Sequence, residues 1–250
     1  MYLPKHRSGF HIGSYVVIKT LSLHKTAEKP YFYHIDHLEP LKVHIVNDIF
    51  GVIDQYVPAY DNAIITGSFL EQGFAFNDID ILVISENQIN ATYIANSIQD
   101  KTGIKTHLIV LDHKTLLEGL STDPLYQMMI SKCIAKKRFI FKAKPKLDYK
   151  RLDLHLLKSR ILLENFDILN GNEKYYLTRN MVAISLFLRQ KKITGEDIDK
   201  KIVRIFSLDS IQEIKQNTLP KDSFLKKYKL LYKKTFNEIM GHIGHGTKPE

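Results

Sequence analysis

Apolar residues recur at helical spacing from Leu41 to Tyr56, where Val43, Ile45, Val46, Ile49, Phe50, Ile53 and Tyr56 share one stripe. Leu38-Glu39-Pro40 offers the entrance, because proline suits a first helical turn. The pattern then shortens. Ala63-Ile64-Ile65 and the run Ile79 to Ile84 are brief and rich in β-branched residues, which predicts strands. Ala91 to Lys101 predicts a helix closed by Gly103, and Lys105 to Asp112 a further strand. A helix opening at Thr122-Asp123-Pro124 is expected to carry Leu125, Met128, Met129, Ile130 and Cys133 on one side. A short strand is expected at Arg138-Phe139-Ile140-Phe141. Near the N-terminus, Tyr15 to Leu21 and Pro30 to Ile35 have strand composition and are expected to form a hairpin or an added sheet edge.

Beyond Lys144-Pro145-Lys146 the spacing is helical throughout. Helices are expected over Tyr149–Asn170, ended by Gly171, and over Glu173–Lys192, Glu196–Phe206 and Ile211–Lys215. The last is expected over Asp222–Met240, stopping before Gly241 and leaving a disordered tail. The expected organisation is an extension over residues 1–39, an α+β unit over 40–143 and a helical bundle over 144–250.

The chemistry concentrates where the strands begin and end. Gly67-Ser68 follows the first apolar run, and Asp78-Ile79-Asp80-Ile81 opens the second after nine intervening residues. Residues i and i+2 of a strand share a face, so Asp78 and Asp80 project side by side. Like charges so close raise a pKa unless a cation neutralises them, and hard carboxylate oxygens favour Mg2+ or Mn2+. A Gly-Ser turn lets backbone amides and a hydroxyl approach phosphate oxygens.

These residues, from Ile65 and Thr66 through Gly67 and Ser68 to Asp78, Ile79, Asp80 and Ile81, resemble the signature of the polymerase β-like nucleotidyltransferase superfamily. The resemblance implies a mixed sheet flanked by helices over 40–143, with a helical domain that covers the nucleotide or binds the acceptor. It implies transfer of a nucleoside monophosphate from a nucleoside triphosphate, ATP among the candidates, with release of pyrophosphate. Asp78 and Asp80 would hold the metal, and Gly67 and Ser68 the phosphates. Lys158, Lys174 and Arg179 are further candidate nucleotide ligands, and Tyr175 or Tyr176 could stack on a base. The superfamily carries a third carboxylate in the next strand, where this chain has His107. The third ligand is therefore His107, Asp112 after a bulge, or missing. With His107 in place of the acid, the alternative is a catalytically weakened nucleotide- or RNA-binding module, or a regulatory subunit, of the same fold. A toxin–antitoxin nucleotidyltransferase, modifying RNA or a partner protein, is a further alternative.

Charge narrows the acceptor. Eleven basic and two acidic side chains lie between Lys132 and Arg160, a surplus of nine that equals the whole formal net charge of +9. Such a band suits a polyanion, and RNA is the expected partner. A single cysteine, Cys133, excludes an internal disulfide and a cysteine-built zinc site and suits a cytoplasmic protein. No apolar run reaches the roughly 18 residues of a membrane helix.

Overall fold

The computed structural model describes residues 29–138, 144–191 and 193–246. Among them, strands β1 (Tyr31–Tyr33), β2 (Asn62–Thr66), β3 (Ile79–Ile84), β4 (Thr106–Leu111) and β5 (Cys133–Ala135) form one mixed sheet in the order β1-β5-β2-β3-β4. The β3–β4 pair is parallel and the other pairs are antiparallel. All five residues of β2 are buried, as befits a central strand covered on both faces.

Strand alternation divides the apolar residues between the two faces. Ile65, Ile79, Ile81 and Val83 pack against α1 (Pro40–Tyr56) and α2 (Ala91–Thr102). Ile64, Leu82 and Ile84 pack against Leu116 and Leu120 of α3 (His113–Thr122) and Ile130 of α4 (Pro124–Ser131). Asp80 belongs to this second set by parity. The remaining helices are α5 (Tyr149–Glu164), α6 (Gly171–Leu188), α7 (Gly195–Phe206), α8 (Gln212–Lys215) and α9 (Lys221–Gly246). They enclose a separate apolar cluster that includes Leu152, Met181, Phe187, Ile202, Phe224 and Tyr228. Leu125 and Met128 of α4 also pack against it, so α4 joins the sheet half to the helical half.

Several boundaries differ from expectation. Cys133 leaves the helix and enters β5, where Ile134 pairs with Ile65 and Ala135 with Ile64. A three-residue apolar run carries too little periodicity to choose between helix and strand. Arg138 lies outside any strand, and residues 139–141 of the expected strand fall outside the described residues. Tyr15–Leu21 also falls outside them, while Tyr31–Tyr33 forms the sheet edge by pairing with β5. Helix α3 was not expected. It begins because the Asp112 carboxylate accepts the Thr115 amide at 2.6 Å as an N-cap.

Gly171 starts a helix rather than ending one. Asn170 caps α6 in a reciprocal capping box with Glu173, and α5 has already stopped at Glu164. Glycine is required there by space, since a Cβ would collide with the Lys215 carbonyl and lie 2.6 Å from the Ile214 oxygen. Nor does Gly241 end the last helix. α9 runs through it to Gly246, so the expected disordered tail is helical as far as the described residues go. A mid-helix glycine costs only about 1 kcal/mol, and buried Tyr228, Thr235 and Ile239 anchor this helix.

Candidate functional site

Thr66 ends β2 with its hydroxyl donating to the Met129 carbonyl at 2.7 Å. The chain then turns at Gly67, with φ 86° and ψ −164°, a conformation open essentially to glycine alone. Ser68 follows at the start of a one-turn 3₁₀ segment, Ser68–Leu70, with Phe69 and Leu70 buried and Ser68 exposed. The Gly67 turn is pressed onto Asp80. A Cβ at Gly67 would overlap Asp80 Oδ2 and stand 3.2 Å from Asp80 Cγ. The glycine serves close approach as much as backbone freedom.

Asp80 lies in register between Thr66 of β2 and His107 of β4. Its two oxygens face different neighbours. Oδ2 faces the Gly67 turn, and Oδ1 lies 3.3 Å from His107 Nδ1. Burial pushes the Asp80 carboxyl above its ordinary range. The His107 hydrogen bond pulls it back, and the charge of Asp78 raises it further. Asp78, half-buried, precedes β3 by one residue. Asp78, Asp80, Gly67, Ser68 and His107 therefore converge at one end of the sheet.

Asp112 does not join them. It lies five residues along β4 from His107, a separation of about 17 Å in a strand. It is committed to capping α3, and the Thr115 amide holds its carboxyl below the usual range.

The loop between Ser68 and Asp78 is clasped by a pair that sequence reasoning missed. The fully buried Lys42 ammonium donates to the Glu71 carbonyl at 2.5 Å and pairs with Glu39 at 3.1 Å. It lies 5.3–5.7 Å from the ring centres of Phe69, Phe74 and Phe76. Glu39 in turn accepts the Gly73 amide at 2.6 Å. Its own backbone amide, the Gly73 amide and Lys42 lower the Glu39 carboxyl to about 2. The visible signal was a Glu39–Lys42 pair one turn apart beside a phenylalanine-rich loop.

Lys132, which precedes β5, pairs with Glu71 of this loop at 3.1 Å. The Glu71 charge also reaches Tyr175 of α6 and Asp199 of α7. Tyr175 donates to Asp199 at 2.7 Å. Burial, reinforced by Asp199, pushes the Tyr175 phenol up. The Arg179 guanidinium lies 5.6 Å from the Tyr175 ring and 5.7 Å from that of Tyr176, and Lys215 lies 4.5 Å from Tyr175. Arg179 Nε is buried with no partner in the described structure. Arg179 thus belongs to a cationic group bordering the candidate site.

The other two predicted cations sit elsewhere. Lys174 is buried in the bundle, 3.9 Å from the centre of the Phe166 ring and bonded to Asn217, and burial pulls its pKa down. An ammonium held this way is no longer presented to a phosphate. Lys158 is exposed on the outer side of α5. The basic band is likewise divided. Lys132 and Lys136 flank β5, about 13 Å apart. Lys136 pairs with Asp54, Lys137 donates to the Tyr60 carbonyl, and Arg151 and Arg160 pair with Asp148 and Glu164.

Among the described residues, no group of three or more His, Cys, Asp or Glu could by itself hold a metal ion. Two carboxylates fit magnesium all the same, since that ion is commonly held by one or two carboxylates and completes its shell with phosphate and water. No family model matches the chain, and no curated protein matches it. No helix among the described residues is long and apolar enough to cross a membrane.

Proposed function

We propose that this chain is a polymerase β-like nucleotidyltransferase that moves a nucleoside monophosphate from a nucleoside triphosphate to an acceptor, with RNA as the acceptor class. The observation that carries the reading is the Gly67 turn packed on the Asp80 carboxylate beside Asp78. Phosphate-binding backbone and a carboxylate pair belong together when a metal triphosphate is the ligand.

Gly67 and Ser68 hold the terminal phosphate oxygens. Asp78 and Asp80 would hold Mg2+ or Mn2+, which when bound would offset charge on the phosphates and on the departing pyrophosphate. His107 fixes Asp80 through Oδ1 and leaves Oδ2 turned to the phosphate cradle. Arg179 and Lys215 lie over Tyr175, whose phenol feels the Glu71 charge of the loop, and supply positive charge in that neighbourhood. The acceptor oxygen bonds to the α-phosphorus as the bond to pyrophosphate breaks, and its proton passes to solvent. The formal net charge of +9 draws an anionic acceptor to the protein as a whole rather than to one basic face.

Calorimetric titration with non-hydrolysable triphosphates and Mn2+ tests the site. Saturable, metal-dependent binding is expected, and Asp78→Ala/Asp80→Ala should abolish it. Binding that survives loss of both carboxylates would contradict the assignment. His107 in the position of a third acid favours a second reading, a nucleotide-binding module without turnover, which the same titration followed by a transfer assay separates.

A further inference from the structure

Helix α5 is apolar on two opposite sides. At about 100° per residue, Leu152, Leu156 and Leu162 form the side buried in the bundle core. Leu154, Leu157 and Ile161 form the opposite side and are 50%, 59% and 41% exposed. A surface helix ordinarily carries polar residues there. From Lys150 the spacing alternates four and three through Leu154, Leu157 and Ile161 to Glu164, which is the spacing of a seam between two packed helices.

The charges on the seam indicate its occupant. Lys150 opens it, Glu164 closes it, and Leu157 is its midpoint. Turned about a two-fold axis through Leu157, the seam meets itself with opposite charges facing. Lys150 meets Glu164, Leu154 meets Ile161, and Leu157 meets its own copy. On one flank Asp153 meets Arg160 in the same way. On the other flank Lys158 approaches its own copy, an exposed repulsion that salt screens. Glu164 bonds Arg160 of its own helix at 2.7 Å, and both groups are more than half exposed. Such a pair contributes little and can be shared across an interface.

We propose that the outer face of α5 is the contact of an antiparallel, two-fold dimer of this chain. The occupant is a second copy because the pattern is complementary to itself about one residue, as an isologous interface requires. Three apolar side chains per copy make a small contact, so the dimer is a weak one that dissociates on dilution.

Sedimentation velocity on the full chain over rising concentration should show the mass doubling. Leu157→Glu places a charge in the seam from both copies and should weaken the dimer about 100-fold or more. Its circular dichroism should be unchanged, since Leu157 is outside the core. Lys150→Glu and Glu164→Lys should each weaken the dimer, and together restore it. Leu157→Cys should oxidise to a cross-linked dimer, while native Cys133 is buried. Leu154→Cys should not, because its two copies stand about 9 Å apart along the axis, beyond disulfide reach. A monomer at the highest concentration, a dimer indifferent to Leu157→Glu, or equal cross-linking at residues 154 and 157 would each overturn the proposal.

Discussion

Replacing Gly67 by alanine separates the two demands placed on this glycine. The backbone demand is set by φ 86° and ψ −164°, where a side chain costs about 1–3 kcal/mol. The steric demand is local. A Cβ overlaps Asp80 Oδ2 and stands 3.2 Å and 3.4 Å from Asp80 Cγ and Cβ, so the carboxylate must retreat by about 1 Å to reach ordinary contact. A displacement of that size in a reacting constellation costs about 10²-fold in rate. Gly103→Ala is the control. Gly103 has φ 73° as the C-cap of α2, with nothing within 4 Å of its added Cβ. Gly103→Ala should lose about 1–2 kcal/mol in urea denaturation, and Gly67→Ala at least as much, because its Cβ also displaces Asp80. Only Gly67→Ala should lose nucleotide transfer and Mn2+ affinity, by about 10²-fold or more. Equal activity in the two variants, or Gly67→Ala binding Mn2+ as tightly as the parent, would refute the account of the cradle.

Asp80→Asn should raise the melting temperature at neutral pH. Burial lifts the Asp80 carboxyl above its ordinary 3.8, so its native-state stabilisation holds at low pH and is lost as pH rises through the folded value. The gain should vanish in acid, and Mn2+ with a triphosphate should stabilise the parent but not the variant; a parent unmoved by that addition counts against the metal site. Glu39→Gln should remove part of the acid-denaturation slope between pH 4.5 and about 2, because the Glu39 carboxyl is depressed and its contribution is lost as pH falls through that window. Superimposable acid titrations of parent and variant would rule the clasp out as a stabilising element. Gly171→Ala should cost about 2–3 kcal/mol, since the carbonyl of Lys215 is backbone and cannot step aside. A change in urea midpoint no larger than that of Gly103→Ala would show that α6 and α8 separate easily.

Strands β2, β3 and β4 and the nearness of Gly67 to Asp80 were legible because their signals are local. Ile79-Asp80-Ile81 states its own face by alternation, and Gly67-Ser68 is a turn whatever surrounds it. The Asp80–His107 contact was within reach because parallel pairing of β3 with β4 fixes one register, and Asp80 and His107 share it. Elements whose identity depends on distant partners were not legible. Cys133–Ala135 becomes a strand only because β1 and β2 lie on either side of it. Gly171 looked like a stop because the backbone of residue 215, against which it packs, is 44 residues away in the chain. Lys174 looked like a phosphate ligand because nothing near it in sequence announces Phe166 above its ammonium or Asn217 beside it. Charge density along the chain also misled. β5 sends Lys132 and Lys136 to opposite ends of one strand, so a basic band in sequence is not one basic face in space.

Nucleotidyl transfer through Asp78, Asp80 and the Gly67 turn is open to a direct assay. The purified chain would be offered each of the four α-labelled triphosphates with Mg2+ or Mn2+, alone and with bulk cellular RNA, beside Asp78→Ala/Asp80→Ala. Label should move to RNA with the parent and not with the variant. Label transfer undiminished by the double substitution, or none from the parent under any metal, would contradict it.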